Sequence, residues 1–177
     1  MRNKNTFKLA LGGICLALTI VFMFAGSIVP GIELTLFAIS SLFVAVMIME
    51  AGVGGGIMLY AASVILGLIL VPGKLALVPY IFLFGYYGLV KYFIEKVRSG
   101  ISQIIIKVIF FAAVLCIGFL GFKEILLDAV DLPNYPVVIL IIGGVVLMML
   151  YDYIYTLAIN IYINKVQRKG VDNFKLS

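Results

Sequence analysis

Histidine is absent from this 177-residue sequence, and cysteine occurs only twice, at Cys15 and Cys116. The first absence removes the commonest metal ligand and the side chain that shuttles protons near neutral pH. The second leaves too few thiols, too widely separated, for a zinc site or a disulfide framework. Each cysteine lies inside an apolar segment and reads as small core filler. Charge is scarce as well. Asp, Glu, Lys and Arg make up 12% of the chain, where soluble domains carry about a quarter. No polar stretch is long enough to fold alone. Walker A, H-E-x-x-H and G-x-S-x-G motifs are all missing, so nothing points to ATP hydrolysis, zinc-dependent hydrolysis or a serine nucleophile. An intramembrane enzyme without histidine needs a Ser–Lys or Asp–Asp arrangement. Ser40 and Ser41 with Lys74 or Lys91 provide the residue types for the first. Asp128 and Asp131 lie in a loop without basic or metal-binding company. The expectation is a protein that is not an enzyme and needs no metal or cofactor.

Apolar residues are what the chain has in abundance: 64% of it is hydrophobic, with a mean hydropathy of +1.24. A helix crossing about 30 Å of hydrocarbon needs about 20 mostly apolar residues. Six segments have that length, at 8–29, 33–50, 53–71, 74–95, 101–125 and 135–165. The first has a basic start like a signal peptide, but its apolar run is long and more spans follow, so it reads as a retained helix. Pro30-Gly31, Gly52, Pro72-Gly73, Ser99-Gly100 and "DAVDLPNYP" break the segments. The short breaks predict antiparallel hairpins. The runs do not alternate apolar with polar, which excludes a β-barrel. The prediction is an all-α, six-helix polytopic membrane protein forming one domain.

Every Lys and Arg except Lys74 and Lys123 falls on the side that holds both termini. Cytoplasmic loops carry that excess, so both termini are expected in the cytoplasm and the chain in the cell membrane. The net charge of +5 then reflects loop bias and implies no nucleic-acid partner. The basic tail after Asn164 suits lipid headgroups.

In the first helix, "LALGGICLALT" sets Ala10, Gly13 and Ala17 in one small-residue stripe. Such stripes let helices approach closely in lipid, within this chain or against a partner. With its size, six helices and small residues near the cytoplasmic end of the first, the chain resembles the S components of energy-coupling factor transporters. In that family an A-x-x-x-A motif docks on a larger membrane subunit driven by ATPases. Here the match is Gly13-x-x-x-Ala17, with glycine in place of the first alanine. The resemblance implies a substrate-capture subunit for a small, vitamin-like molecule, with the coupling subunit and ATPases as partners and the outer halves of the helices as the site.

Candidate substrate-binding groups there are Glu33, Ser40, Ser41, Tyr80, Asn134 and Tyr135, with Thr35 and Lys74 beside them. Glu33, Phe37, Ser40 and Ser41 share a helical face. The alternatives are a solvated Glu33 stabilised by the helix dipole and serines bonded to their own backbone. No outer cluster of positive charge favours an anionic ligand, so a neutral or zwitterionic one is expected. Tyr86 and Tyr87 read mainly as core. Two further functions remain open: a non-transporting scaffold subunit of a cell-envelope or cell-shape assembly, and an ion-coupled permease using Asp152.

Asp152 follows a long apolar run. Counted from residue 137 at 1.5 Å per residue, it lies about 22 Å deep, some 8 Å from the inner boundary. Counting back from the end of the fifth helix puts Lys107 at the same depth. The expectation is a structural Asp152–Lys107 ion pair, with Lys91 as a second possible partner. Tyr151, Tyr153 and Tyr155 read as an inner aromatic belt. Asp152, Thr156 and Asn160 read as a polar stripe facing protein.

Overall fold

A computed structural model describes residues 4–29, 31–97, 99–129 and 137–167. All of its regular elements are helical: α1 (Lys4–Ile28), α2 (Glu33–Ala51), α3 (Val53–Leu70), α4 (Gly85–Ile94), α5 (Gly100–Ala129) and α6 (Val137–Tyr162). A 3-10 turn (Lys74–Leu77) and a π turn (Tyr80–Phe84) precede α4, and another π turn (Ile163–Gln167) follows α6. Six helical stretches are long and apolar enough to cross a membrane, the fourth being Lys74–Ile94 taken as a whole. The chain is an all-α multi-pass membrane protein. Its outer surface is accordingly apolar, with Leu9 79% and Met58 77% exposed. In a soluble protein such a surface would drive aggregation.

The breaks follow from backbone chemistry. Gly52 alone separates α2 from α3, at φ +83°. Its N–H closes α2 on the Ile48 carbonyl at 2.9 Å, and its own carbonyl accepts the Gly56 N–H at 3.2 Å. A side chain is strained at that φ, so glycine is required. Gly73, at φ +75°, starts the 3-10 turn in the same way.

The fourth span, expected over 74–95, is helical from Lys74 to Ile94, but its hydrogen-bond register changes along the way. Pro79 has no N–H to give to Leu75, and the Leu75 carbonyl is taken instead by the Val78 N–H in a tighter turn. The chain then widens into the π turn, where the Gly85 N–H reaches back to the Tyr80 carbonyl. Only from Gly85 does a regular α-helix run.

Contacts gather into two compact units. The first contains α1 to α3, the fourth span as far as Tyr92, and α6 from Tyr155 onward; the second spans Phe93–Ile154. In the first, Cys15, Val44, Met47, Ile48, Leu59 and Leu89 form a buried apolar cluster, so Cys15 does fill core. Glycines let these helices close up. A methyl group on Gly56 would run into Ile48, and one on Gly67 would stand 2.6 Å from the Met23 methyl. In the second unit Phe111 is fully buried, and Gly144 of α6 lies under Leu115 of α5.

Candidate functional site

The first unit holds a buried group of hydroxyls between α2, α3 and the π turn. Tyr60 and Ser63 are one helical turn apart on α3. Ser63 Oγ donates to the Tyr60 carbonyl at 2.7 Å and lies 2.8 Å from the Tyr80 hydroxyl. A serine has one hydroxyl proton, and here it is committed to the carbonyl, so Tyr80 is the donor to Ser63. The Tyr60 hydroxyl donates to the Ile81 carbonyl at 2.8 Å, inside the π turn where the regular ladder is interrupted. The Tyr80 ring faces Phe37 at 6.4 Å between centroids, and Tyr60 meets Tyr86 edge-on at 6.2 Å. Phe37, Ser40, Ser63 and Tyr80 are each 0% exposed.

The predicted substrate residues separate within this frame. Tyr80 sits in the hydroxyl group just described. Ser40 and Ser41 are buried too, but their hydroxyls bond their own helix: Ser40 Oγ donates to the Phe37 carbonyl at 2.7 Å and Ser41 Oγ to the Ala38 carbonyl at 2.6 Å. Glu33 is half-buried, and its Oε2 accepts the Gly31 N–H at 3.0 Å, tying down the turn that leads into α2. Thr35 and Lys74 are exposed. Asn134 and Tyr135 lie outside the described residues. Sequence reasoning missed Ser63 and Tyr60. The signal was the spacing Tyr60, Ser63, Gly67, a polar and small stripe on one face of an otherwise apolar helix.

A second buried polar group lies in the same unit. Lys91 is 1% exposed and donates from Nζ to Thr156 Oγ1 at 2.8 Å, with the Tyr155 ring centroid 6.0 Å away. Tyr155 is buried too. Its hydroxyl donates to the Ser41 carbonyl at 3.1 Å, and its ring meets Tyr87 edge-on at 5.5 Å. This corrects the belt expected for Tyr151, Tyr153 and Tyr155: Tyr153 is exposed, whereas Tyr155 is core. The polar stripe also ends early, because Asn160 is exposed. Near the end of α6, the Tyr162 hydroxyl donates to Glu50 Oε1 at 3.1 Å.

In the second unit, Lys107 Nζ of α5 stands 2.7 Å from Asp152 Oδ2 of α6, with both side chains about nine-tenths buried. The two residues counted to a common depth from opposite ends are brought together as an ion pair. Glu95 Oε1 lies 3.7 Å from the same ammonium.

The stripe on α1 points outward. Ala10, Gly13 and Ala17 are all exposed, and a methyl group on Gly13 would meet nothing within 4 Å. The core face of α1 is instead Cys15, Thr19, Met23 and Gly26. Among the described residues, none packs against Gly13, so the reading in which the stripe meets a partner is the one this exposure favours.

No buried side-chain nitrogen or oxygen among the described residues lacks a hydrogen-bond partner. No three His, Cys, Asp or Glu side chains among them come together as metal ligands. Comparison with known proteins gives no matching family model, no similar curated protein and no similar solved structure.

Proposed function

We propose that this chain is the substrate-capture subunit of a small-molecule importer in the cell membrane, energised by partner ATPases through a larger membrane subunit. The observation that carries this reading is the open stripe on α1. Gly56, Gly67 and Gly88 are each covered by a side chain of this chain, whereas Gly13, like Gly54, Gly118 and Gly143, has nothing within 4 Å, and Ala10 and Ala17 beside it are exposed. In lipid, a bare small-residue stripe favours close approach of another helix, because packing replaces the hydrophobic effect there. The stripe occupies the helix that docks in the S components this sequence resembles. The lack of any ATP-hydrolysing motif fits a subunit that borrows its energy. Tyr60, Ser63, Tyr80 and Phe37 offer hydroxyl and aromatic groups without a nearby cation in their bonds, which suits a neutral or zwitterionic substrate. Both termini then face the cytoplasm.

Affinity purification in mild detergent tests the reading. Recovery of a larger membrane subunit with ATPases is expected, and Gly13→Leu should abolish it. Recovery of the chain without any ATPase, at full expression of the native locus, would sink the proposal. A second reading, a non-transporting scaffold of the cell envelope, is favoured by the closure of the hydroxyl group, whose members bond each other and leave no group waiting for a ligand. Mass spectrometry of the same preparation separates the two, because a capture subunit should retain a small molecule and a scaffold should not.

A further inference from the structure

We propose that Lys107 is a shared-cation latch, fastening the turn after α4 to the buried carboxylate of α6. Its ammonium lies 2.7 Å from Asp152 and 3.7 Å from Glu95. The two acids differ in surroundings: the Asp152 side chain is 11% exposed and that of Glu95 42%. The short contact neutralises a charge that is expensive to leave alone inside a membrane. The longer one reaches a carboxylate open to solvent, where an ion pair is weak and easily exchanged.

A second residue of α5 addresses the same turn. Gln103, one helical turn before Lys107, donates from Nε2 to the Val97 carbonyl at 2.8 Å and, at 3.5 Å, to that of Glu95. Residues four apart share a helix face. One face of α5 therefore holds the turn with an amide and an ammonium, and holds α6 with the same ammonium. A lysine has three donors on a flexible stem, so it serves both acids together and can shift toward either without leaving its place. The contacts compensate each other. Without the Asp152 charge, Glu95 becomes the main counter-ion. Without the Glu95 charge, the turn loosens while the buried pair persists.

The test uses the full chain carrying Ser99→Cys as a probe in the turn, compared in four backgrounds: wild type, Glu95→Gln, Asp152→Asn and both together. Labelling by a water-soluble maleimide is measured in liposomes, and melting temperature in detergent. Glu95→Gln should raise the labelling rate by roughly two- to fivefold, the range an exposed ion pair supports, with the melting temperature unchanged. The double variant should lose more thermal stability than the two single shifts summed. Additive shifts, or unchanged labelling in Glu95→Gln, overturn the latch. Should Asp152→Asn fail to fold, Glu95→Gln is repeated in the background Lys107→Met with Asp152→Leu, where it should no longer raise labelling; an equal rise there overturns the latch.

Discussion

Placed alone at the middle of a membrane helix, a lysine or an aspartate costs about 2.5–3.5 kcal/mol on insertion scales. Lys107 and Asp152 avoid most of that by meeting at 2.7 Å. Removing Lys107 takes the ammonium away from a buried carboxylate, at a cost of up to about 3–5 kcal/mol, whereas apolar replacement of both is close to neutral. Lys107→Met should therefore lower the unfolding midpoint in detergent strongly, and Lys107→Met with Asp152→Leu should recover most of the loss. The hydroxyls obey a similar asymmetry. Ser63→Ala strands the Tyr80 hydroxyl and should cost about 1–3 kcal/mol; Tyr80→Phe leaves Ser63 on its backbone carbonyl and should cost about 1 kcal/mol or less. Denaturation of the two variants side by side checks the order. The ion pair was legible in the sequence because charges in an apolar run can be counted from either membrane boundary. Ser63 was not, because a lone serine bonded to its own helix is common, and only the fold shows that a tyrosine 17 residues on bonds it as well.

Among the elements, the spans themselves could be read from length and apolar composition, since few other arrangements satisfy the backbone in lipid. What composition does not encode is hydrogen-bond register. The fourth span has the apolar length of a helix and is helical throughout, yet it passes from a 3-10 turn through Pro79 and a π turn before α4 begins. Pro79→Ala restores the missing N–H, so the α ladder should extend and amide hydrogen exchange across 79–85 should slow. Faster exchange there would mean that the proline stabilises the turn it interrupts. The tyrosines of α6 carry a similar lesson. Residues two apart on a helix point about 200° apart, so with Tyr153 facing outward Tyr155 turns toward the core. Tyr155 lies instead near Thr156, against Tyr87 and Gly88. Gly88→Val would drive a side chain into the Tyr155 hydroxyl and should abolish folded protein in detergent, as read by size-exclusion profile.

For the whole molecule, the exposed stripe on α1 separates assembly from folding. Gly13→Leu fills a position with nothing within 4 Å, so its melting temperature should match wild type while any co-purifying membrane partner is lost. A drop in stability would place the stripe in the fold after all. The sequence could locate the stripe but not its direction, because a small residue packs equally well inward or outward until neighbouring helices are fixed. The single-residue link at Gly52 has a consequence for motion. With Gly52 bonded to Ile48 on one side and Gly56 on the other, α2 and α3 share a joint without slack. Neither can slide along the other without breaking those bonds. The stretch between Gly73 and Gly85, by contrast, passes through 3-10 and π turns and has register to spare.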